Sequence, residues 1–242
     1  MATLSAAAPA VDDLASDYDH PIPTAVPPKA KIRDAERSRE AILDAAERLF
    51  SERGFDAVSL TGIGAAAGLS RATPSYFFGS KEHLYTAVLE RVSAERQTAT
   101  ARAVQPVVAW CDGHGDLDEL RNALADGMES YMRFLLSRPA FQRFITWEEL
   151  AGGDRLRAAR RNSTALVDAF TRVRQVAKRR GLRAFDVGDA VLLWVATTYA
   201  PLANRNTLLV AMKRDLTVAK TRRAHVGFAV DQMMYLLVGC PR

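Results

Sequence analysis

The residues best placed to do chemistry in this sequence are hydroxyls, cations and backbone N–H groups gathered around one short turn. In Ile63-Gly64-Ala65-Ala66-Ala67-Gly68-Leu69-Ser70, small residues at 64 and 67 let two helices cross closely. Gly68 takes the turn between them, and Leu69 plugs the space beneath it. Ser70 opens a further helix whose start offers Ser and Thr hydroxyls and unpaired N–H groups. Such groups suit phosphate oxygens, and a helix mounted this way presents its N-terminal side chains to base edges in a major groove. The chemistry on offer is recognition, with no bond made or broken.

Other clusters are less pointed. Met128, Tyr131, Phe134, Phe141, Phe144, Trp147, Trp194 and Tyr199 have the bulk to line a pocket for a large, mainly apolar ligand. Equally, they can fill a helical core, where aromatic side chains are at home. Arg155, Arg157, Arg160 and Arg161 suit an anionic effector or, more simply, a solvated helix face. Cys111 and His114, with Asp112 between, have ligand-like spacing, but no second cluster completes a metal site. The remaining histidines are scattered, and no nucleophile elbow, phosphate-cradling loop or H-E-x-x-H occurs. No catalytic residue, metal or cofactor is expected.

The elements that must hold the turn are helical. Ile42, Ala45, Ala46, Leu49 and Phe50 recur at three- and four-residue spacing and predict a first helix over 33–53, stopped by Gly54. Ser59 caps a second helix to about Ala67, with Val58 and Ile63 placed as a hydrophobic staple. The third helix runs from Ser70 to near Gly79, and Ser80 caps a fourth that ends about Ala103, before Pro106. Beyond a loop at 111–115, helices are predicted over 117–137, 140–151, 154–180, 186–203 and 222–238. Leu120, Leu124, Met128, Tyr131 and Leu135 stripe the first of these; Leu156, Ala159, Ser163, Leu166, Phe170, Val173 and Ala177 stripe the third. The fold class is all-α.

Composition sets looser bounds. The chain has 242 residues, 48% apolar, long enough for a real core. No apolar run spans a bilayer, no secretion signal is evident, and two cysteines make no disulfide framework, so a reducing cytoplasm is the expectation. An isoelectric point of about 9.4 suits a nucleic-acid partner. Yet residues 29–104 hold twelve basic and ten acidic groups, so net charge does not locate a DNA-binding face. Lys29, Lys31, Arg33, Arg37 and Arg39 fit either an arm along DNA or a charge-mixed helix start. Residues 1–28, rich in Ala, Pro and Asp, are predicted to be disordered.

The segment from Ser38 to Leu89 resembles, without a gap, the DNA-binding domain of the TetR family of regulators. Ala45, Leu49, Phe50, Gly54, Ile63, Ala67, Gly68, Ser70, Thr73, Phe78, Lys81 and Leu84 carry the likeness. It implies an N-terminal three-helix helix-turn-helix domain joined by a long helix to a C-terminal helical bundle for regulation and dimerisation. Accordingly, 29–82 would be the DNA-binding domain and 83–242 the ligand-binding and dimerisation domain, with 83–104 the connecting helix. The resemblance also implies a homodimeric repressor that binds a pseudo-palindromic double-stranded operator and leaves it on binding a small-molecule effector. By position, Ser59 and Thr61 would approach the DNA backbone, Ser70, Arg71, Ala72 and Thr73 would face the groove, and Lys81 would pair with phosphate.

Three residues depart from the pattern. Gly62 replaces a usual acid, Pro74 enters the recognition helix, and Ser75 stands where the family places a phosphate-contacting Tyr. Tyr76 and Phe77 follow, with Tyr76 about 100° further round the helix. For dimer pairing, Val226, Val230, Met233 and Leu237 form one stripe, and the helix over 190–202 is apolar nearly all round. Two other readings stay open: a DNA-binding protein whose C-terminal domain only dimerises, and a ligand-binding or catalytic protein without DNA recognition.

Overall fold

The protein is described by a computed structural model covering residues 29–113, 115–159 and 164–239; the tail at 1–28, His114, Arg160, Arg161, Ser163 and Cys240 lie outside the described residues. Among those described, every regular element is a helix. The chain divides into a small unit, Met1–Arg37, and a large one, Ser38–Arg242. In the small unit the described residues form the start of α1 (Lys29–Arg53), where Arg37 pairs with Asp34 at 3.5 Å. This helix begins at Lys29 rather than Arg33, since Lys and Ala are good helix formers and need no packing to extend it.

In the large unit, Ile42, Ala46 and Phe50 of α1 are buried, as their spacing requires. Helices α2 (Leu60–Ala66) and α3 (Thr73–Phe78) complete the N-terminal trio, and α4 (Lys81–Asp112) leads away from it. The expected stop of α4 near Ala103 is corrected: the helix runs through Pro106. Proline inside a helix costs about 3 kcal/mol. Burial of Val104, Val107, Trp110 and Cys111 on the turns around it offsets that cost.

Helix α5 (Leu117–Ser137) opens with a reciprocal cap, in which the Glu119 N–H donates to Asp116 Oδ1 (2.9 Å) and the Asp116 N–H to Glu119 Oε2 (3.1 Å). Its predicted stripe is buried throughout. Arg138 forms the corner to α6 (Pro139–Leu150). The single helix expected over 154–180 is described as α7 (Asp154–Ala159) and α8 (Ala165–Arg179). Helix α9 (Val187–Ala203) lies where a helix is expected over 186–203 and is capped by Asp186; a π-helical turn, Arg205–Leu209, and α10 (Ala219–Val238) follow. Helix α4 packs along α5 and α8, and α5 also meets α9 and α10.

One expected surface turns inward. Val226, Val230, Met233 and Leu237 are buried within the chain, because α10 lays that stripe on α5, α8 and α9. The large apolar side chains that α9 and α10 leave exposed are Leu192, Val195, Phe228 and Tyr235. Cys111 is buried, and burial pushes its thiol up to about 11. Among the described residues no helix is long and apolar enough to cross a membrane, and no group of three metal-ligating side chains occurs.

Candidate nucleic-acid interface

Local chemistry builds the turn. Ser59, in extended conformation (φ −112°, ψ 152°), accepts from the Gly62 N–H at 3.1 Å and lies 3.1 Å from the Thr61 hydroxyl. Helix α2 is left through Gly68 at φ +69°, a left-handed conformation that glycine adopts without strain. The Leu69 N–H then returns to the Gly64 carbonyl at 2.9 Å. A Cβ on Gly64 would sit 2.8 Å from the Ser70 carbonyl oxygen and 3.2 Å from Pro74 Cδ, so the crossing is as close as the small-residue pattern demanded.

The recognition helix differs from expectation at its start. Ser70 does not cap it directly: residues 70–73 make a turn, with the Thr73 N–H on the Ser70 carbonyl at 3.1 Å, and α3 begins at Thr73. The Ser70 and Thr73 hydroxyls are 2.7 Å apart and close that turn. Pro74 explains the shift. At the second helical position its missing N–H deletes no intrahelical bond, and the first one, Tyr76 N–H to Ala72 carbonyl, is made at 3.1 Å. Its ring is buried against α2, so the proline is a packing residue.

What faces outward follows from that register. Ser70, Arg71, Ala72, Ser75 and Tyr76 are exposed, Tyr76 to 84%. Thr73 and Phe77 are half-buried, Phe77 against the core, and Phe78 is buried beneath the Arg39 guanidinium, 5.0 Å from its ring. Arg39 is therefore engaged with α3. Between Ala57 and Lys81 the sequence holds two cations, Arg71 and Lys81, and no carboxylate, so the segment itself carries no charge that repels an anion, while the exposed Asp56 and Glu82 flank it. Lys81 is already occupied: its ammonium donates to the Phe55 carbonyl at 3.2 Å and lies 4.2 Å from the Phe55 ring centre. Any phosphate contact at Lys81 competes with, or uses the donors left by, that arrangement.

The structure sorts the expected ligand residues into two groups. Phe141, Phe134, Tyr131 and Trp194 form a chain of ring contacts at 5.9–6.4 Å that Tyr199 and Phe170 extend, with Met128 fully buried. Burial raises the Tyr131 phenol and pushes that of Tyr199 up to about 12. The Trp194 indole N–H is buried without a partner among the described residues. Phe144 and Trp147 belong elsewhere. Phe144 stacks on Tyr85 at 5.0 Å, beside Phe50 and Phe55. Trp147, 39% exposed, covers Gly54 and donates its indole N–H to the Ser51 carbonyl at 3.2 Å.

Between helix-turn-helix and bundle lies a polar junction that sequence reasoning missed. Glu148, 1% exposed, accepts from the Tyr85 hydroxyl and the Leu156 N–H, with Arg155 at 3.9 Å. The Arg155 guanidinium stacks over Phe55 (4.4 Å) and Tyr85 (5.4 Å) while its side chain stays exposed, so it meets the junction from a solvated face. Nearby, Glu47 of α1 binds Arg91 of α4 at 2.5 Å and Arg138 at 2.8 Å; Arg91 also holds Asp44 at 2.7 Å, and Arg138 holds Glu95 at 2.7 Å. A signal was present: Glu47 and Glu148 each fall in register with an apolar stripe, Leu43–Ala46–Phe50 and Phe141–Phe144. A carboxylate so placed must find a cation or donors.

Comparison with known proteins agrees with this architecture at both ends. The profile of bacterial regulatory proteins of the tetR family matches residues 42–88, and that of the tetracyclin repressor-like C-terminal domain matches residues 121–233. The HTH-type transcriptional repressor NicS of Pseudomonas putida is 26% identical over 83% of this chain and 92% of its own length. The HTH-type transcriptional regulator RutR of Escherichia coli is 42% identical over 62 residues, 26% of this chain and 29% of RutR. A TetR family transcription regulator from Marinobacter aquaeolei shares the fold, with a TM-score of 0.60 at 22% identity over 86% of this chain and 98% of that one. The chain therefore belongs to the TetR family of bacterial helix-turn-helix transcriptional regulators.

Proposed function

We propose that this regulator is a repressor that binds a two-fold symmetric operator as a homodimer, in the cytoplasm, and leaves it when a small molecule occupies the C-terminal domain. Residues 29–82 serve as the DNA-binding domain and 83–242 as the ligand-binding and dimerisation domain, with 83–104 connecting them. The observation that carries the DNA half is the acid-free outward face of the recognition segment. There Arg71, Ala72, Thr73 and the turn at Ser70 meet base edges, Ser75, Tyr76 and Lys81 meet phosphate with Ser59 and Thr61 behind them, and Phe77 props the helix. Two-fold operators need paired readers, and Leu192, Val195, Phe228 and Tyr235 offer the apolar surface for pairing α9 and α10 with a second copy. Repression agrees with the name borne by NicS. Met128, Tyr131, Phe134, Trp194 and Tyr199 remain candidates to meet an effector; Phe144 and Trp147 pack at the junction with α1 and α4 instead.

The test is binding of the full chain to DNA from upstream of its own gene, across a salt series, with whole-genome selection as the wider net. Selective binding with a steep salt slope is expected, and Lys81→Ala should lower that slope by about one unit while Thr73→Ala alters sequence preference. Binding no tighter than to random DNA, in both formats, overturns the reading.

A further inference from the structure

Between α4 and α5 lies a groove of about 780 Å³ whose wall holds Arg91, Arg102, Arg133 and Arg138 against a single acid, Glu95. Its middle is apolar, with Ala94, Ala99 and Phe134 at the surface. The two ends differ. Arg102 makes no hydrogen bond or ion pair among the described residues. Arg133 reaches Glu129 only at 4.0 Å, and that carboxylate already accepts from Arg222 at 2.9 Å. This end therefore holds two guanidinium groups with planar donors to spare.

At the other end, about 16 Å along α4 by helical rise, Arg91 and Arg138 converge on the buried Glu47 of α1. The Nε of each is buried and unpartnered. Guanidinium groups with donors to spare beside an apolar floor suit an organic anion with an apolar body.

We propose that this groove binds such a ligand, an aryl or alkyl carboxylate or sulfonate, with its head on Arg102 and Arg133 and its body along Ala99 and Phe134. The arginines at the far wall are those that hold α1 to α4 and to the α5–α6 corner. Filling the groove and the position of the helix-turn-helix are therefore linked through Glu47, by coupling that acts in both directions. The link rests on the effector-released reading given above; the site itself does not.

The experiment uses the full chain and two dyes, the anionic 8-anilinonaphthalene-1-sulfonate and its neutral counterpart N-phenyl-1-naphthylamine. Saturable binding of the anion is expected, about tenfold weaker in Arg102→Gln/Arg133→Gln, from the loss of charge-assisted hydrogen bonds. The neutral dye should bind wild type and variant alike. Both residues are exposed, so an unchanged melting curve is expected of the variant. Equal affinity of wild type and variant for the anion overturns the proposal and leaves the groove to a protein partner; equal weakening of both dyes overturns its anionic character. With a bound DNA fragment, the anion should weaken DNA affinity several-fold in wild type and not in the variant, and no weakening in wild type overturns the link to α1. A protein that binds the anion as expected but no DNA sinks the regulator reading and leaves the site standing; one that binds DNA but not the anion does the reverse.

Discussion

From Ser59 to Ser80 the segment's own side chains make their hydrogen bonds within three residues, with only Arg48 of α1 reaching in to the Ala66 carbonyl at 3.5 Å among the described residues, whereas the junction behind it is tied by bonds between residues far apart in the chain. Ser59 reaches Gly62 and Thr61, Ser70 reaches Thr73, and Ser80 reaches the His83 N–H. At the junction Tyr85 meets Glu148 sixty-three residues on, Glu47 meets Arg138 after ninety-one, and Ser51 meets Trp147 after ninety-six. The first region is shaped by caps, a turn and a close helix crossing, so its outward polar groups stay available to another molecule. In the second, polar groups hold helices together and face inward. Substitutions should therefore separate: stability is lost at the junction, and DNA affinity at the recognition segment.

The largest effect is expected at Glu148. Glu148→Ala removes a buried acceptor and strands the Tyr85 hydroxyl and the Leu156 N–H, a change worth about 3 kcal/mol. Urea unfolding measures it, and a loss below about 1 kcal/mol would break the contrast. The same site gives a pH dependence. Burial first, then the hydrogen bond and charge of Glu148, holds the Tyr85 phenol far above its ordinary range. A raised folded-state pKa means that its contribution is complete below about pH 10 and declines as pH climbs past that value, because the unfolded chain gives up this proton first. Tyr85→Phe should flatten that decline.

Next in size is Gly64→Ala. Its new methyl meets backbone, the Ser70 carbonyl oxygen, at 2.8 Å, and backbone yields only by moving α3 away from α2. A loss of about 1–3 kcal/mol follows, with DNA affinity falling too because the recognition helix is displaced. Here alone the two kinds of effect coincide. Unchanged unfolding in urea would show that the crossing is looser than its geometry.

These two positions also show what a sequence reveals. Gly64 and Gly68 were legible because each answers a constraint within a few residues, a crossing and a left-handed turn. The stripes of α1 and α5 were legible for the same reason, since helical period places Ile42, Ala46 and Phe50 on one side whatever packs there. The partners of Glu148 and Glu47 were not, because register shows that a buried carboxylate needs a donor without saying which helix supplies it. Pro106 misled in the opposite sense: its local preference is to end a helix, and tertiary packing around Val104 and Val107 overrides it. Phe144 and Trp147 were grouped with the ligand residues by bulk alone, and bulk carries no direction.

A smaller loss, about 1 kcal/mol, is expected for Ser59→Ala, which removes the cap that accepts the Gly62 N–H. No acid at 62 returns a bond to complete the cap, so this single hydrogen bond and its contact with Thr61 are all that the substitution removes there. Thermal unfolding registers it, and Ser59→Asp, which keeps an acceptor at that cap, should recover most of the loss. A drop as large as that at Glu148 would mean that the local plan carries long-range consequences after all.

The smallest effect on stability belongs to Tyr76, and it is the sharpest test of the contrast. It is 84% exposed, with its ring edge-on to Phe77 at 5.3 Å between ring centres, so Tyr76→Ala should shift stability by no more than about 0.5 kcal/mol. If the ring meets phosphate, Tyr76→Ala lowers affinity for all DNA sequences by a similar factor, about tenfold for one good hydrogen bond and the ring's contact. Ser75 supplies the matching probe, because it is exposed one position earlier on the same short helix and carries the hydroxyl where relatives of this kind place a tyrosine. Ser75→Tyr in the Tyr76→Ala background should restore binding if the phenol's reach matters more than its position. If Tyr76→Ala leaves DNA affinity intact, the outward face of α3 is not read through this ring, and the contact rests on the other proposed residues, Arg71, Thr73 and Lys81 first among them.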